Sequence, residues 1–415
     1  MIFLSGMHKT SSKISTRCAI VGGGPAGMMT GYLLARAGVE VVVLEKHADF
    51  NRDFRGDTIH PSTLELMHEL GMLQDFLKLP HQERPQLRGV FNGHYVTMTD
   101  FSRLRTHCKF IAFMPQWDFL DFLSARAKEF PSFSLRMEHE VTDLCLENGC
   151  VVGVRAKAPD GECEVRADLV IGADGRHAIT HKQAGFELRE FGVPIDVLWM
   201  LISKRADDPE QLFGFFRNGK LLVLIARDDY FQAGLVIPKG GYEDIKRQGL
   251  PFLHREIVAL APFLEDRIKE LDDWSKIKQL TVQINRLKHW CRKGLLCIGD
   301  SAHAMSPAGG VGINLALQDA VATANLLAAK LRAGPVSMAD LEQVQKRRQW
   351  PTWVIQTMQV FIHRRVVTGR SSGKGSDSLP FFPRLLKRFP SLGVLPAWLI
   401  GVGPRPEHVH SPARK

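Results

Sequence analysis

The chain has 415 residues, 45% hydrophobic and 24% charged, which suits a large core and two or three domains and excludes a disordered or fibrous protein. Lys and Arg exceed Asp and Glu by 54 − 44 = 10. The excess is spread out, with a local concentration at Lys346-Arg347-Arg348, Arg364-Arg365 and Arg384 to Arg388, and without the compact aromatic-interleaved element of a nucleic-acid binder. It reads as a solvated basic face; the sharper alternatives are attraction of an anionic cofactor or of an anionic membrane surface.

Residues 1–16 are expected to be a flexible arm: the apolar run 1–4 is too short for a signal peptide, and Ser, Thr and Lys follow. Residues 18–21 read as a strand and 26–36 as a helix stopped by Gly38. Residues 39–44 read as a strand buried on both faces, giving a βαβ opening. Ser62-Thr63-Leu64-Glu65 has the form of a capping box for a helix ending near Gly71. Residues 165–171 are another strand. From 197 to 237, short runs such as 221–226 and 232–237 alternate with turns, which predicts an antiparallel meander. Helical segments continue to about Trp274, and strands are expected at 279–287 and 295–298. Helices follow at 311–331 and from 338 to about 366, then a Gly/Ser-rich linker at 369–378. The apolar stretch 392–402 holds Pro396 and is far shorter than a membrane span. The seven cysteines (Cys18, Cys108, Cys145, Cys150, Cys163, Cys291, Cys297) form no C-x-x-C pair, which points to reduced thiols in a cytoplasmic protein. No metal-ligand or Ser/His/Asp constellation stands out.

Two glycine loops carry the chemistry. Gly22-Gly23-Gly24-Pro25-Ala26-Gly27 matches G-x-G-x-x-G between strand and helix, and Glu45 ends the next strand 45 − 22 = 23 positions on. That is a dinucleotide fingerprint: glycines admit a pyrophosphate and the acid takes the ribose hydroxyls. The second loop, Gly299 to Asn314, joins a strand to a helix whose bare N–H groups favour negative charge. The two lie 299 − 22 = 277 residues apart. One ligand long enough to use both is FAD, with ADP at the first loop and the flavin at the second.

These residues resemble the class A flavoprotein monooxygenases of the p-hydroxybenzoate hydroxylase type. Three motifs in order carry the resemblance: Gly22 to Gly27 with Glu45; Asp174-Gly175; and Gly299-Asp300 with Pro307, Gly309, Gly310, Gly312 and Asn314. Arg55-Gly56, Gln116, Val141 and the tail 403–408 are smaller matches. The resemblance implies an α/β fold: a Rossmann-like FAD-binding domain with an inserted antiparallel β-sheet substrate domain and C-terminal helices. The FAD-binding parts would be 17–80, 111–190 and 281–340. The substrate parts would be 81–110 and 191–280, and 341–415 a C-terminal helical region.

The resemblance also implies a cofactor-binding set: Gly22, Gly24, Ala26, Gly27, Glu45, Lys46, Arg55, Gln116, Val141, Asp174, Asp300, Pro307, Gly310, Gly312 and Asn314. Glu45 would bind the adenosine ribose, Arg55 approach the diphosphate and Asp300 hold the ribityl chain. The Asp174 segment would support the pyrophosphate region and nicotinamide use. One departure stands there: Ala178 and His181 replace the family's Ser and Arg. Ala178 cannot cap the next helix, a loss of about 1 kcal/mol, and His181 is a weaker, pH-dependent cation.

The implied reaction is hydroxylation or epoxidation of an aromatic, phenolic or quinolone-like compound, with O2 and NADPH or NADH, through a flavin C4a-hydroperoxide. Phe213, Phe215 and Gln232 are the substrate candidates, with Trp199, Met200, Phe216 and Phe231 as further lining; aromatics on strands are also ordinary core. His303 has a structural reading, His60 that of a loop residue, and no catalytic base is assigned. Halogenases are disfavoured because W-x-W-x-I-P is absent; a reductase of isoprenoid chains is a second flavoprotein rival. A ubiquinone-pathway-like hydroxylase at the membrane is compatible with the basic, apolar stretch 381–402, and a non-catalytic FAD-binding accessory protein with the changes at 178 and 181.

Overall fold

A computed structural model describes residues 12–51, 58–209, 212–367 and 381–413. The expected linker at 369–378 lies outside the described residues.

The βαβ opening is β1 (Ser12–Val21), α1 (Pro25–Arg36) and β2 (Val41–Leu44). The expected arm at 1–16 is corrected over 12–16, where Ser12 to Thr16 pair in parallel with Cys163 to Ala167; the rest of it lies outside the described residues. A partner strand overrides the polar composition, because its ladder satisfies the backbone whatever the side chains are. After β3 (Thr58–Ile59) comes α2 (Pro61–Glu69). The capping box at Ser62 does not form; His60 holds the N-cap position, Pro61 is the first helical residue, and no side chain caps the end. Proline's fixed φ and missing N–H suit that first position, so the helix starts earlier. Glu65 accepts from the His107 backbone N–H instead, at 3.1 Å.

Next are α3 (Leu73–Phe76), β4 (Gln82–Arg84), β5 (Gln86–Phe91), β6 (His94–Asp100), β7 (Ile111–Phe113), α4 (Gln116–Ala127), β8 (Phe133–Arg136), β9 (Glu140–Glu147), β10 (Cys150–Ala158), β11 (Gly161–Gly172), α5 (Ile179–Gln183) and β12 (Leu188–Phe191). The meander is β13 (Ile195–Ser203), β14 (Leu212–Arg217), β15 (Lys220–Ala226) and β16 (Tyr230–Pro238), closed by α6 (Tyr242–Gln248) and α7 (Leu250–Leu260). One strand was expected at 279–287. Two form, β17 (Lys278–Leu280) and β18 (Ile284–Leu287), in different sheets. The buried Asp196 carboxylate accepts from the Val282 N–H at 2.9 Å, which breaks the ladder there. The chain continues through β19 (Cys291–Arg292), β20 (Leu295–Cys297), β21 (His303–Ala304), α8 (Gly312–Ala333), α9 (Met338–Val367), α10 (Phe381–Arg388) and α11 (Val394–Gly401).

The eight-stranded sheet runs β19-β20-β11-β1-β2-β8, with β10 and β9 branching from β11. Its core strands β20, β11, β1, β2 and β8 are parallel. α8 packs on it beside α1 and is buried along most of its length, which explains a hydropathy high enough for a membrane helix.

The seven-stranded sheet runs β17-β13-β16-β15-β14-β5-β6, so the segment 86–100 completes a sheet made mostly from 195–280. One face carries Phe215, Phe231, Leu222 and Leu224 into a core with α7. The other carries Phe213, Trp199, Val223 and Ile225 toward Phe113 and α11. Strict alternation would put Phe213 and Phe215 on one face. The pairing of β14 with β5 shifts register between Leu212 and Gly214, and this bulge sends them to opposite faces.

Candidate functional site

The three motif loops leave the carboxyl ends of neighbouring parallel strands. β1 ends at Val21, β11 at Gly172 opposite it, and β20 at Cys297 opposite Gly172. This edge of an open α/β sheet is where ligands bind.

At the first loop Gly22 has φ 104°, and a Cβ there would overlap the Ala173 carbonyl; a Cβ on Gly27 would overlap the Gly22 carbonyl. A Cβ on Gly24 would instead meet nothing within 4 Å. Gly24 is also the N-cap of α1, which has no side-chain cap and Pro25 in its first turn. The packing is closed behind the loop and open above the helix N-terminus, which is the shape a pyrophosphate needs. Glu45 sits at the end of β2, buried, accepting from the Gly23 N–H at 2.8 Å and the His47 N–H at 3.1 Å. Burial pushes its carboxyl up, but the His47 ring and these two N–H groups outweigh it and keep the group below the ordinary carboxylate range. His139 donates its N–H to the Glu45 carbonyl at 2.8 Å, which brings Val141 on β9 to the same corner. Lys46 is exposed beside it, and Arg55 lies outside the described residues.

The middle motif braces the third. Asp174 accepts from the Thr180 N–H at 3.0 Å and the Thr180 hydroxyl at 2.7 Å. It therefore caps α5 in place of the residue at 178, and the expected loss at Ala178 is made good. His181 is not a solvent-facing cation: it is buried, its Nδ1 donates to the Ser301 carbonyl at 3.1 Å, and burial holds it below the ordinary imidazole range. Arg176 donates from Nε to Asp300 at 2.9 Å and from its terminal nitrogen to the Met305 carbonyl at 3.0 Å.

In the third loop, the fully buried Asp319 is the hub. It accepts from the Gly299 N–H at 3.0 Å and Arg348 Nε at 3.0 Å, and its Oδ2 lies 2.6 Å from His303 Nε2. Burial alone would raise this carboxyl; His303 and Arg348 outweigh it and lower it. Arg348 also binds the Arg405 carbonyl at 3.1 Å and Glu407 at 3.2 Å, tying the tail to the loop. Past Asp300, α9 clamps both neighbours of Pro307: Gln359 bridges Ser306 and Ala308, and His363 Nε2 lies 2.6 Å from the Ser306 hydroxyl. Gly310 has φ 62°, and a Cβ there would overlap the Thr58 hydroxyl, which donates to the Gly310 carbonyl at 3.0 Å.

α8 starts at Gly312 with no side-chain cap. Its first-turn N–H groups point out of the helix toward the loop. The Asn314 side chain is taken up within the protein, accepting from the His60 N–H and Thr63 hydroxyl and donating to the Thr58 and Gly310 carbonyls. Only its backbone is left for a ligand. His60 is the connecting residue between β3 and α2, as expected, but it is wholly buried: its Nδ1 donates to the Ile400 carbonyl at 2.8 Å, and burial pushes it down to about 4.

The substrate face joins this loop through a short chain of contacts. Phe213 packs against Phe113 with the rings tilted by 50° and their centroids 5.9 Å apart, Phe113 pairs with Thr58, and Thr58 holds Gly310. Trp199 and Gln232 share that face; the Trp199 indole N–H is buried without a partner among the described residues, and Gln232 contacts Arg227 at 3.4 Å. Gln116 opens α4 just beyond Phe113. Phe215 does not belong to this face; it packs against Phe263 with Phe231 and Met200.

Residues 15–356 match the family described as FAD binding domain. The chain belongs to the class A flavoprotein monooxygenase family. A curated relative of this monooxygenase is 6-methylpretetramide 4-monooxygenase of Streptomyces rimosus, 32% identical over 360 residues and 86% of each chain. Para-nitrophenol 4-monooxygenase of a Pseudomonas strain is 23% identical over 76% of this chain and 78% of its own. Among solved structures, OxyS anhydrotetracycline hydroxylase from S. rimosus superposes with a TM-score of 0.73 at 23% identity, over 94% of this chain and 76% of that one. PqsL of P. aeruginosa in complex with 2-aminobenzoylacetate gives 0.73 at 19%, over 86% and 100%. FAD is the monooxygenase's cofactor, and the loops above are built to fit it.

The motifs do not mark Asp319, Arg348, Gln359 or His363, and Arg176 falls within the middle motif but carries no role in the sequence reading. The signal for Asp319 is an acid inside the apolar stretch 311–331. The signal for the α9 pair is polar residues at helical spacing, Gln356, Gln359 and His363, on one buried face.

Proposed function

We propose that this monooxygenase adds one oxygen atom of O2 to a phenolic aromatic compound, with NADPH or NADH as the electron donor. Bound FAD would supply the electron transfer and oxygen activation. Glu45, the α1 N-terminus, Gln116 and Asp300 would hold it, with Arg176 fixing the Asp300 carboxylate. The α8 N-terminus would stabilise negative charge at the flavin's pyrimidine edge. The apolar face of Phe113, Phe213, Trp199 and Ile225 would position a flat ring and exclude water. The Trp199 indole N–H and the Gln232 amide are its polar handles.

The observation that carries the reading is the contact chain from Phe213 through Phe113 and Thr58 to Gly310, which sets an aromatic wall against the flavin loop. The names of the relatives, for 6-methylpretetramide, anhydrotetracycline and para-nitrophenol, support an aromatic substrate. Seven unpaired cysteines support a reducing, cytoplasmic setting. The test is NADPH and NADH oxidation over a panel of phenols, with product mass and hydrogen peroxide measured. A phenol that accelerates oxidation and gains one oxygen is the expected result. If no phenol raises the rate, or all oxygen consumed returns as peroxide, the substrate assignment is wrong.

A further inference from the structure

Residues 343–406 hold eleven Lys and Arg and a single acid, Asp377, so their net charge is 11 − 1 = 10. That equals the net charge of the whole chain; the remaining residues balance, 43 against 43. Arg347 and Arg348 are turned inward onto Glu407 and Asp319. Lys346, which pairs with Glu342 at 3.5 Å, and Arg364, Arg384, Lys387 and Arg388 lie exposed along the outside of α9 and α10.

The same region exposes large apolar side chains. Phe381 is 80% exposed, Phe382 48%, Phe389 52%, Leu395 62% and Trp398 45%. The opposite side of this segment is fixed to the body. Leu386 packs with Val96 of β6, and Ala397 packs with Phe101 and Ile225. Leu399 and Ile400 pack with Ile355 of α9 around Val311. Lys387 and Arg388 sit directly before Phe389, and no acid occurs between 378 and 406.

We propose that the α10–α11 face docks on an anionic lipid bilayer. Short helices with aromatics outward and lysine or arginine alongside seat at the boundary between headgroups and acyl chains. The sign of the charge matches anionic lipid. It opposes a second copy of the chain, because pairing this face with itself would set like charges together. Docking would place the flavin loop close to the membrane: Ile400 is within van der Waals reach of a Cβ at Gly309, so the separation is about one helix diameter, ~10 Å. Apolar compounds dissolved in the bilayer would then reach the site without crossing bulk water. The docking face itself does not depend on which compound is oxidised.

The test is co-sedimentation of the FAD-loaded full chain with vesicles of phosphatidylcholine, with and without phosphatidylglycerol. Binding is expected only with phosphatidylglycerol and should weaken as salt rises. Lys387→Glu with Arg388→Glu should weaken it at least about twenty-five-fold, at about fivefold per charge. Phe381→Ser, Phe382→Ser and Trp398→Ser together should also abolish it, with FAD content and melting temperature unchanged. The proposal is overturned if neither vesicle sediments the chain, or if both variants bind as the parent does. It is equally overturned if the face instead supports a concentration-dependent dimer that the aromatic variant dissolves, or binds duplex RNA more tightly than vesicles.

Discussion

Asp319→Asn tests how the loop is held. The native carboxylate offers one oxygen to the Gly299 N–H and His303 and the other to Arg348, all out of contact with water. An amide keeps the shape but presents a donor on one side, so either Gly299 or Arg348 faces N–H against N–H. Breaking a buried charge pair costs about 3–5 kcal/mol. Arg348 keeps the Arg405 carbonyl and Glu407, so the low end applies, about 3 kcal/mol. The part that reaches FAD is the freed Gly299–Asp300 backbone, one hydrogen bond of about 1–1.5 kcal/mol, or roughly tenfold in affinity. Flavin fluorescence titration gives the dissociation constant, and thermal melting with and without FAD gives the stability. If the Asp319→Asn chain binds FAD within twofold of the parent and melts at the same temperature, the hub is refuted.

Gly27→Ala should abolish FAD retention through backbone overlap with Gly22 and destabilise the fold by about 3 kcal/mol. Gly24→Ala should lower FAD affinity while the FAD-free chain melts unchanged; equal effects of the two would contradict the open cradle. Phe215→Ala should cost about 3–5 kcal/mol with substrate KM intact, whereas Phe213→Ala should raise KM and peroxide release; reversed outcomes would place the bulge elsewhere. His60 and His363, each pushed down to about 4 by burial, stay neutral while the unfolded chain takes up protons below about 6.5. Stability therefore falls as pH drops from about 6.5 to about 4, by on the order of 3 kcal/mol per histidine. His363→Gln should flatten that slope in urea titrations, and an unchanged slope would exclude His363 as a source. Ala178→Ser should leave melting and FAD affinity unchanged within about 0.5 kcal/mol, because Asp174 already takes the Thr180 N–H; a clear gain would show that cap to be weak.

The βαβ opening and the glycine loops were legible because their chemistry is written in neighbouring residues: a strand, a turn that needs glycine, a helix start, an acid. The meander was legible from its alternation and turns. What escaped depends on partners distant in sequence. Ser12 to Thr16 become a strand only because Gly161–Gly172 lies beside them. One local case escaped as well: Ala178 reads as a missing cap until Asp174, six residues before Thr180, is seen to turn back on it. The separation of Phe213 from Phe215 rests on one extra residue opposite β5, and no local composition marks it. Asp319 looks like an interruption of an apolar helix until Arg348 and His303 meet it.

The tie from Asp319 to the tail has a consequence for how the protein is made. Arg348 and Glu407 follow Asp300 by 348 − 300 = 48 and 407 − 300 = 107 residues. A ribosome adds the longer stretch in roughly 5–20 s. During that interval the first glycine loop, the middle motif and the strand before Asp300 have all been synthesised, but the support beneath Gly299 has not. Tight capture of the cofactor is therefore a late event in the life of the nascent chain, and a stall before the tail emerges would leave an enzyme that looks folded and holds its flavin loosely.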